Sequence, residues 1–175
     1  MNSYRIRPAS HREIERLLII EKKAGEIFSS LPGDFLSRLP SDMPTHSVAF
    51  YKKSIDEGCC WVIEDDSKIA GFICTENIES EETIHINELD VLYGEQGKGL
   101  GRRLLDFIIN DAKRKNKKIT LTTFSNVPWN APFYKKAGFR FAHNSELTAR
   151  LRSLLAEESA LGLPLEYRCA MILHS

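Results

Sequence analysis

The sequence predicts a mixed α/β fold built on a mostly antiparallel central sheet with flanking helices, and three observations carry that reading. Three apolar, β-branched segments joined by short polar turns run from Cys60 to Leu92, the pattern of an antiparallel meander. A glycine-rich turn and a strongly amphipathic helix follow. Strand-like and helical segments then alternate to the end, giving the order β-α-α-β-β-β-α-β-α-β-α-β.

Taken in order, Tyr4 to Arg7 reads as a first strand closed by Pro8. Ser10 followed by Glu13 is a capping-box pattern, and Ile14, Leu17, Leu18, Ala24, Ile27 and Phe28 form the apolar stripe of a helix that fades near Ser29 and Ser30. A loop rich in Pro, Ser and Asp runs from Leu31 to Pro44. Thr45 is placed to cap a second helix that continues to about Glu57 and stops at Gly58. The meander strands are Cys60–Glu64, Lys68–Ile78 and Thr83–Leu92, with turns at Asp65–Ser67 and Glu79–Glu82.

Beyond the glycine turn, Leu100, Leu104, Phe107, Ile108 and Ala112 fall on one helical face. Lys118 to Phe124 is the next strand, and Asn130 to Lys136 a short Asn-capped helix stopped by Gly138. A strand from Phe139 to Ala142, a helix over Glu146–Ala160 and a last strand over Tyr167–Leu173 complete the reading. No repeat, low-complexity tract or long linker divides the chain, so residues 1–175 are expected to form one domain.

Composition narrows the function. Lys+Arg and Asp+Glu each number 24, and the zero net charge argues against a nucleic-acid binder, which normally carries a positive excess. The four cysteines, Cys59, Cys60, Cys74 and Cys169, contain no CxxC pair, and the histidines are not spaced to complete a zinc site, so no metal is expected. They read as reduced thiols of a cytoplasmic protein. Met1 to Ser10 has no apolar h-region, and no apolar run is long enough to span a membrane.

The chemistry concentrates at Gln96-Gly97-Lys98-Gly99-Leu100-Gly101-Arg102. Glycines between a strand and a helix permit positive φ and close approach of the backbone to a ligand. The first amides of the helix lack internal partners and carry the positive end of its dipole, which together make an anion site, most naturally for phosphate. Lys98 and Arg102 add charge there. A P-loop is excluded because GxxxxGK[ST] is absent, and the dinucleotide fingerprint fails because arginine stands at position 102 after a meander. The plainer alternative is that these glycines only cap a tight turn.

Gln96-x-x-Gly99-x-Gly101 resembles the pyrophosphate-binding motif of the GNAT superfamily of N-acetyltransferases. The segment from Asn126 to Phe139, containing Tyr134-x-x-x-Gly138-Phe139, resembles a second motif of that family, and the element order matches from Tyr4 to Phe141. The resemblance implies a splayed cleft for acetyl-CoA, used without a metal. In it the amides of Gly97, Lys98, Gly99, Leu100, Gly101 and Arg102 would hold the pyrophosphate beside Gln96. Main-chain groups of Leu89 and Val91 would bond the pantetheine, with Asn126 or, better, Asn130 touching it. Tyr134 would be the general acid that protonates the departing thiolate, with core packing as its alternative.

Alternation along the third meander strand puts Glu88 and Asp90 on one face and Leu89 and Val91 on the other, toward the core. Beside the splay, Glu88 is the better candidate for a base acting through water, against the plain reading of a solvated face. The base matters most for a basic acceptor: a lysine-like amine costs about 4.6 kcal/mol to neutralise at pH 7 and an α-amino group only about 1 kcal/mol. The implied partners are therefore acetyl-CoA and a primary amine on a small molecule or peptide, acetylated by direct transfer, with a homodimer left open by the family's many dimers. A non-catalytic acyl-CoA-binding or regulatory module on the same scaffold is the alternative.

Other residues read more plainly. Lys113, Arg114, Lys115, Lys117 and Lys118 suit the C-terminal end of a helix dipole. His46 and His85 read as structural more readily than catalytic. Phe28, Phe35, Phe50 and Tyr51 fit an acceptor pocket and a core equally well, and Trp61 reads as core.

Overall fold

The three-strand meander forms the middle of a seven-stranded sheet. A computed structural model of the chain describes residues 3–174. Its strands are β1 (Arg5–Pro8), β2 (Cys60–Asp65), β3 (Lys68–Ile78), β4 (Thr83–Val91), β5 (Lys118–Phe124), β6 (Arg140–Phe141) and β7 (Arg168–Leu173), in the sheet order β1-β2-β3-β4-β5-β7-β6. Every pairing is antiparallel except that of β4 with β5. The connection between those two is the helix α4 (Leu100–Lys115), as a parallel crossover requires.

The helices cover both faces. Helix α4 buries Leu100, Leu104, Leu105, Ile108, Ile109 and Ala112 against Ile63, Ile73, Ile84, Ile86, Ile119 and Leu121, in a cluster that also takes in α5 (Ala131–Lys136) through Ala131. Each fully buried aliphatic side chain there contributes roughly 1.5–3 kcal/mol. On the opposite face, α1 (Ile14–Ala24) and α3 (Val48–Asp56) pack Leu17, Ile20 and Tyr51 on Val62, Phe72 and Cys74. Helix α6 (Ala149–Ala160) covers that face of β5 and β7, where Glu158 accepts from Thr122 Oγ1 and Arg168 Nε. Trp61 is packed edge-on against Phe107 of α4, ring centroids 5.4 Å apart, as the core reading expects.

Local differences from the sequence reading have local causes. The cap of α3 is Ser47, whose hydroxyl accepts from Phe50 N at 3.1 Å, and not Thr45. The α1 segment tightens into a 3-10 helix over Gly25–Ser30. The loop from Leu31 to Pro44 contains a helical turn, α2 (Gly33–Leu36), which sinks Phe35 into a third cluster with Phe124, Val127 and Leu163. Thr148, not Glu146, starts α6 by accepting from Leu151 N, and Asn130 precedes α5 without any side-chain capping bond.

Two features open the middle of the sheet. First, β4 and β5 pair only from Thr83 with Lys118 to Ile86 with Leu121, so the remainder of each strand lacks the other. Second, β4 bulges: Cys74 faces Glu88 and Thr75 faces Ile86, leaving Asn87 without a counterpart on β3. The extra residue reverses the alternation. Ile84 and Ile86 face α4, and so do Leu89 and Val91, while Glu88 and Asp90 turn to the side of α1 and α3. Gly71 is required opposite the end of β4, because a Cβ there would stand 2.6 Å from the Asp90 carbonyl oxygen.

Candidate active site

The glycine turn lies where β4 leaves the sheet. Gly97 (φ 81°) and Gly99 (φ 78°) both adopt the left-handed conformation, and Gly99 immediately precedes α4. Gln96 N donates to Tyr93 O and Arg103 N to Gly99 O. The amides between them, from Gly97 to Arg102, have no backbone acceptor. A Cβ at Gly97 or Gly99 would meet nothing within 4 Å, so these amides border open space. The turn thus has the unpaired donors and the room that a phosphate needs.

Its side chains are more committed than the sequence reading allows. Lys98 Nζ is 2.7 Å from Glu95 Oε2, and Arg102 Nε is 2.8 Å from Asp106 Oδ1, so both cations already have carboxylate partners. Gln96 Nε2 donates to Val91 O at 3.0 Å, which ties the turn to the end of β4 and occupies the carbonyl of one strand residue expected to face the cofactor. What this turn offers an anion is therefore chiefly backbone amides and helix dipole.

Across the splay lies α5. Tyr134 N donates to Asn130 O at 3.2 Å, and the Tyr134 ring meets Phe133 and Phe139 edge-on with centroids 5.1 and 5.7 Å away. Burial raises the phenol above its usual value, and the negative charges of Glu88 and Asp90 raise it further. The two carboxylates are thus close enough for the phenol to feel them. No protein group among the described residues hydrogen-bonds this hydroxyl. Asn130 is half-buried, whereas Asn126 is exposed.

Glu88 and Asp90 meet a group that the sequence reading did not assemble. Glu21 of α1, only 9% exposed, accepts from Tyr51 Oη at 2.6 Å and from His46 N at 2.9 Å. His46 Nδ1 stands 3.0 Å from Glu21 Oε1 and 3.3 Å from Glu88 Oε2, and its ring stacks on Phe50 with centroids 4.0 Å apart. Burial would lower the His46 imidazole, but hydrogen bonds and charge from Glu21 and Glu88 outweigh it and push it up to about 10. Asp90 goes the other way: burial first, then the Glu88 and Glu21 charges, holds its carboxyl well above the usual range, and its Oδ2 is buried without a partner.

Glu21, His46 and Glu88 offer ligand atoms within 4.8 Å of one another, a spacing that could hold a small cation, although the imidazole pairs with both carboxylates without one. Glu21 was legible in principle. It stands on the α1 stripe, four residues after Leu17 and three before Ala24, where an apolar residue belongs. His85 is different: buried, 2.9 Å from Thr120 Oγ1 and lowered to about 4 by burial, it is a neutral histidine of the interior.

The chain is thus an α/β domain whose central sheet parts between β4 and β5, with a turn of unpaired amides where β4 ends. Residues 56–141 match the family model described as "Acetyltransferase (GNAT) domain". Fold, motifs and family match agree on a GNAT acetyltransferase domain that takes in residues 56–141. Among solved structures it is similar to N-acetylglutamate synthase from Neisseria gonorrhoeae complexed with coenzyme A and N-acetyl-glutamate, with a TM-score of 0.73 and 17% identity. That match covers 99% of this chain but 35% of the synthase, so the chain spans about a third of that protein. It is also similar to the ribosomal-protein-S18-alanine N-acetyltransferase from Escherichia coli (TM-score 0.67, 18% identity, 98% of this chain and 94% of that one). The PaiA N-acetyltransferase from Thermoplasma acidophilum in complex with coenzyme A gives a TM-score of 0.70 at 16% identity, covering 99% of both chains. At these identities the likeness is one of fold.

Proposed function

We propose that the protein is an acetyl-CoA-dependent N-acetyltransferase that acetylates a primary amine of a small molecule or peptide by direct transfer. One observation carries the reading: unpaired amides from Gly97 to Arg102 open α4, the pairing of β4 with β5 stops at Ile86 and Leu121, and the Tyr134 phenol is near enough to Glu88 and Asp90 to feel their charge. Acetyl-CoA supplies a thioester whose acyl carbon an amine can attack. The Gly97–Arg102 amides would hold its pyrophosphate, with Gln96 fixing the turn. The freed edge of β4 around Leu89 and Val91, and Asn130 or Asn126 across the gap, would bond the pantetheine. No helix among the described residues is long and apolar enough to cross a membrane, and the four free thiols fit the reducing cytoplasm.

In the proposed reaction Glu88, directly or through water, takes the proton that the amine gives up as its N–C bond forms. Tyr134 gives its phenolic proton to the sulfur as the C–S bond breaks. The two transfers help each other: once Glu88 is protonated its charge no longer raises the phenol, and Tyr134 becomes the better acid as the thiolate departs. General-base assistance of about 10²–10⁴-fold is roughly 3–5 kcal/mol, comparable with the 4.6 kcal/mol that a lysine-like amine costs at pH 7.

The test is release of free thiol from acetyl-CoA over a panel of amines, repeated with Glu88→Gln. Turnover is expected with at least one amine. For a high-pKa amine the variant should lose rate at neutral pH and recover as pH rises, and for an α-amino substrate it should lose little. Binding of acetyl-CoA without thiol release from any amine would identify a non-catalytic acyl-CoA-binding module instead.

A further inference from the structure

The loop that precedes α3 brings one cationic side chain among three acids. His46 is faced by Glu21 from α1, by Phe50 and Tyr51 from α3, and by Glu88 from β4, with Asp90 beside Glu88 and Cys74 of β3 below. No lysine or arginine among the described residues forms an ion pair with Glu21, Glu88 or Asp90. Three carboxylates gathered on one side of a splayed sheet repel one another strongly when little water separates them. Burial and the neighbouring charges push the Asp90 carboxyl well above its usual range, and Glu21 is spoken for by Tyr51 and the His46 backbone. Glu88 has the His46 ring as its cationic partner, Nδ1 standing 3.3 Å from Oε2, and it shares a hydrogen bond with Asp90.

We propose that His46 is a positioning residue for acetyl transfer: stacked on Phe50, hydrogen-bonded to Glu21 and ion-paired with Glu88, it fixes the Glu88 carboxylate beside the acceptor amine and supplies the positive charge that this acidic cluster otherwise lacks. The inference rests on the reading of Glu88 as the base. It assigns the loop before α3 a part in the chemistry that its sequence, without regular periodicity, does not announce. An imidazole held between two carboxylates stays charged across the neutral range, which agrees with its raised value of about 10. Its stacking on Phe50 also gives the ring one orientation, so Nδ1 is presented to Glu21 and Glu88 together.

Two measurements on the full chain test this. In imidazole NMR, His46 should remain protonated at pH 8 and titrate near 10, and Glu88→Gln should lower that titration by about one unit or more. A wild-type His46 that titrates near its ordinary value of about 6.5 overturns the bridge, whether or not the chain is active. In steady-state assays with a primary alkylamine, His46→Ala should lower kcat roughly 10- to 100-fold while acetyl-CoA Kd stays within about twofold. His46→Asn, which keeps an N–H near the place of Nδ1, should recover part of that loss, and it carries the test if the alanine variant fails to fold. Unchanged kcat in both variants overturns the proposal. A wild-type chain that is inactive with every amine while NMR shows the bridge intact refutes the functional reading, and His46 is then an element of the fold alone.

Discussion

At the scale of single residues, the site depends on groups whose ionisation is set by what they are buried beside. Burial, and after it the Glu88 and Asp90 charges, hold the Tyr134 phenol above its usual value, so it stays a donor beyond the pH at which a free phenol ionises. Tyr134→Phe removes one hydroxyl and little volume. It should leave acetyl-CoA affinity near normal and lower kcat by about one to three decades, roughly 1.4–4 kcal/mol, measured under saturating acetyl-CoA. Unchanged turnover would make Tyr134 a packing residue, with water protonating the thiolate. In the wild type, no fall in rate should set in near pH 10 on account of this phenol, because its value lies above the usual one.

At the scale of elements, strand, turn and helix act together. The bulge at Asn87 aims Glu88 and Asp90 at the α1 side, and the glycine turn then swings the chain so that the first amides of α4 stand beside the splay. Gly99 is the hinge of that turn at φ 78°, where a side chain would have space but an unfavourable backbone. Gly99→Val should therefore cost roughly 1–3 kcal/mol in the absence of ligand, because a branched residue is strained in the left-handed region. It should also abolish the rise in Tm that acetyl-CoA gives the wild type by linkage. Thermal melts with and without acetyl-CoA separate the two effects, and an undiminished shift in the variant would refute the phosphate site.

The fold and turn were legible because their causes are local. The sequence reading placed β3 over Lys68–Ile78 and β5 over Lys118–Phe124, and the structure has the same bounds. It placed the cap of α3 and the start of α6 a few residues early, since several Ser, Thr and acidic residues compete there and tertiary packing chooses among them.

At the scale of the whole molecule, the edge strand β1 and the start of α1 are fastened to the sheet by one ionic network. Arg5 and Arg7 both reach Glu64 on β2, which is 1% exposed, and Arg7 also pairs with Glu13 at 2.5 Å. The Arg7 hydrogen bonds hold the Glu13 and Glu64 carboxyls below their ordinary 4.5. Folded values below unfolded ones mean a contribution present above about pH 4.5 and lost as pH falls through the folded values. Arg7→Ala should cost roughly 1–3 kcal/mol at pH 7, a fall in Tm of about 3–10 °C, with Arg5 left to hold part of Glu64. Melts repeated down to pH 3 should show the gap between wild type and variant narrowing, and a constant gap would mean that the loss is one of packing.

The sequence by itself determined the sheet-and-helix order, the glycine turn and the two family motifs, because glycine conformation, helix amphipathicity and strand alternation act over a few neighbouring residues. Only the tertiary structure decided which side chains share a cavity. Glu21, His46 and Glu88 come from a helix, a loop and a strand far apart in the chain. They meet because α1 and α3 pack on the face toward which the bulge turns Glu88. A bulge has no sequence signature as firm as a glycine turn, and a long-range hydrogen bond has none, since its energy depends on packing that forms only when the whole chain has folded.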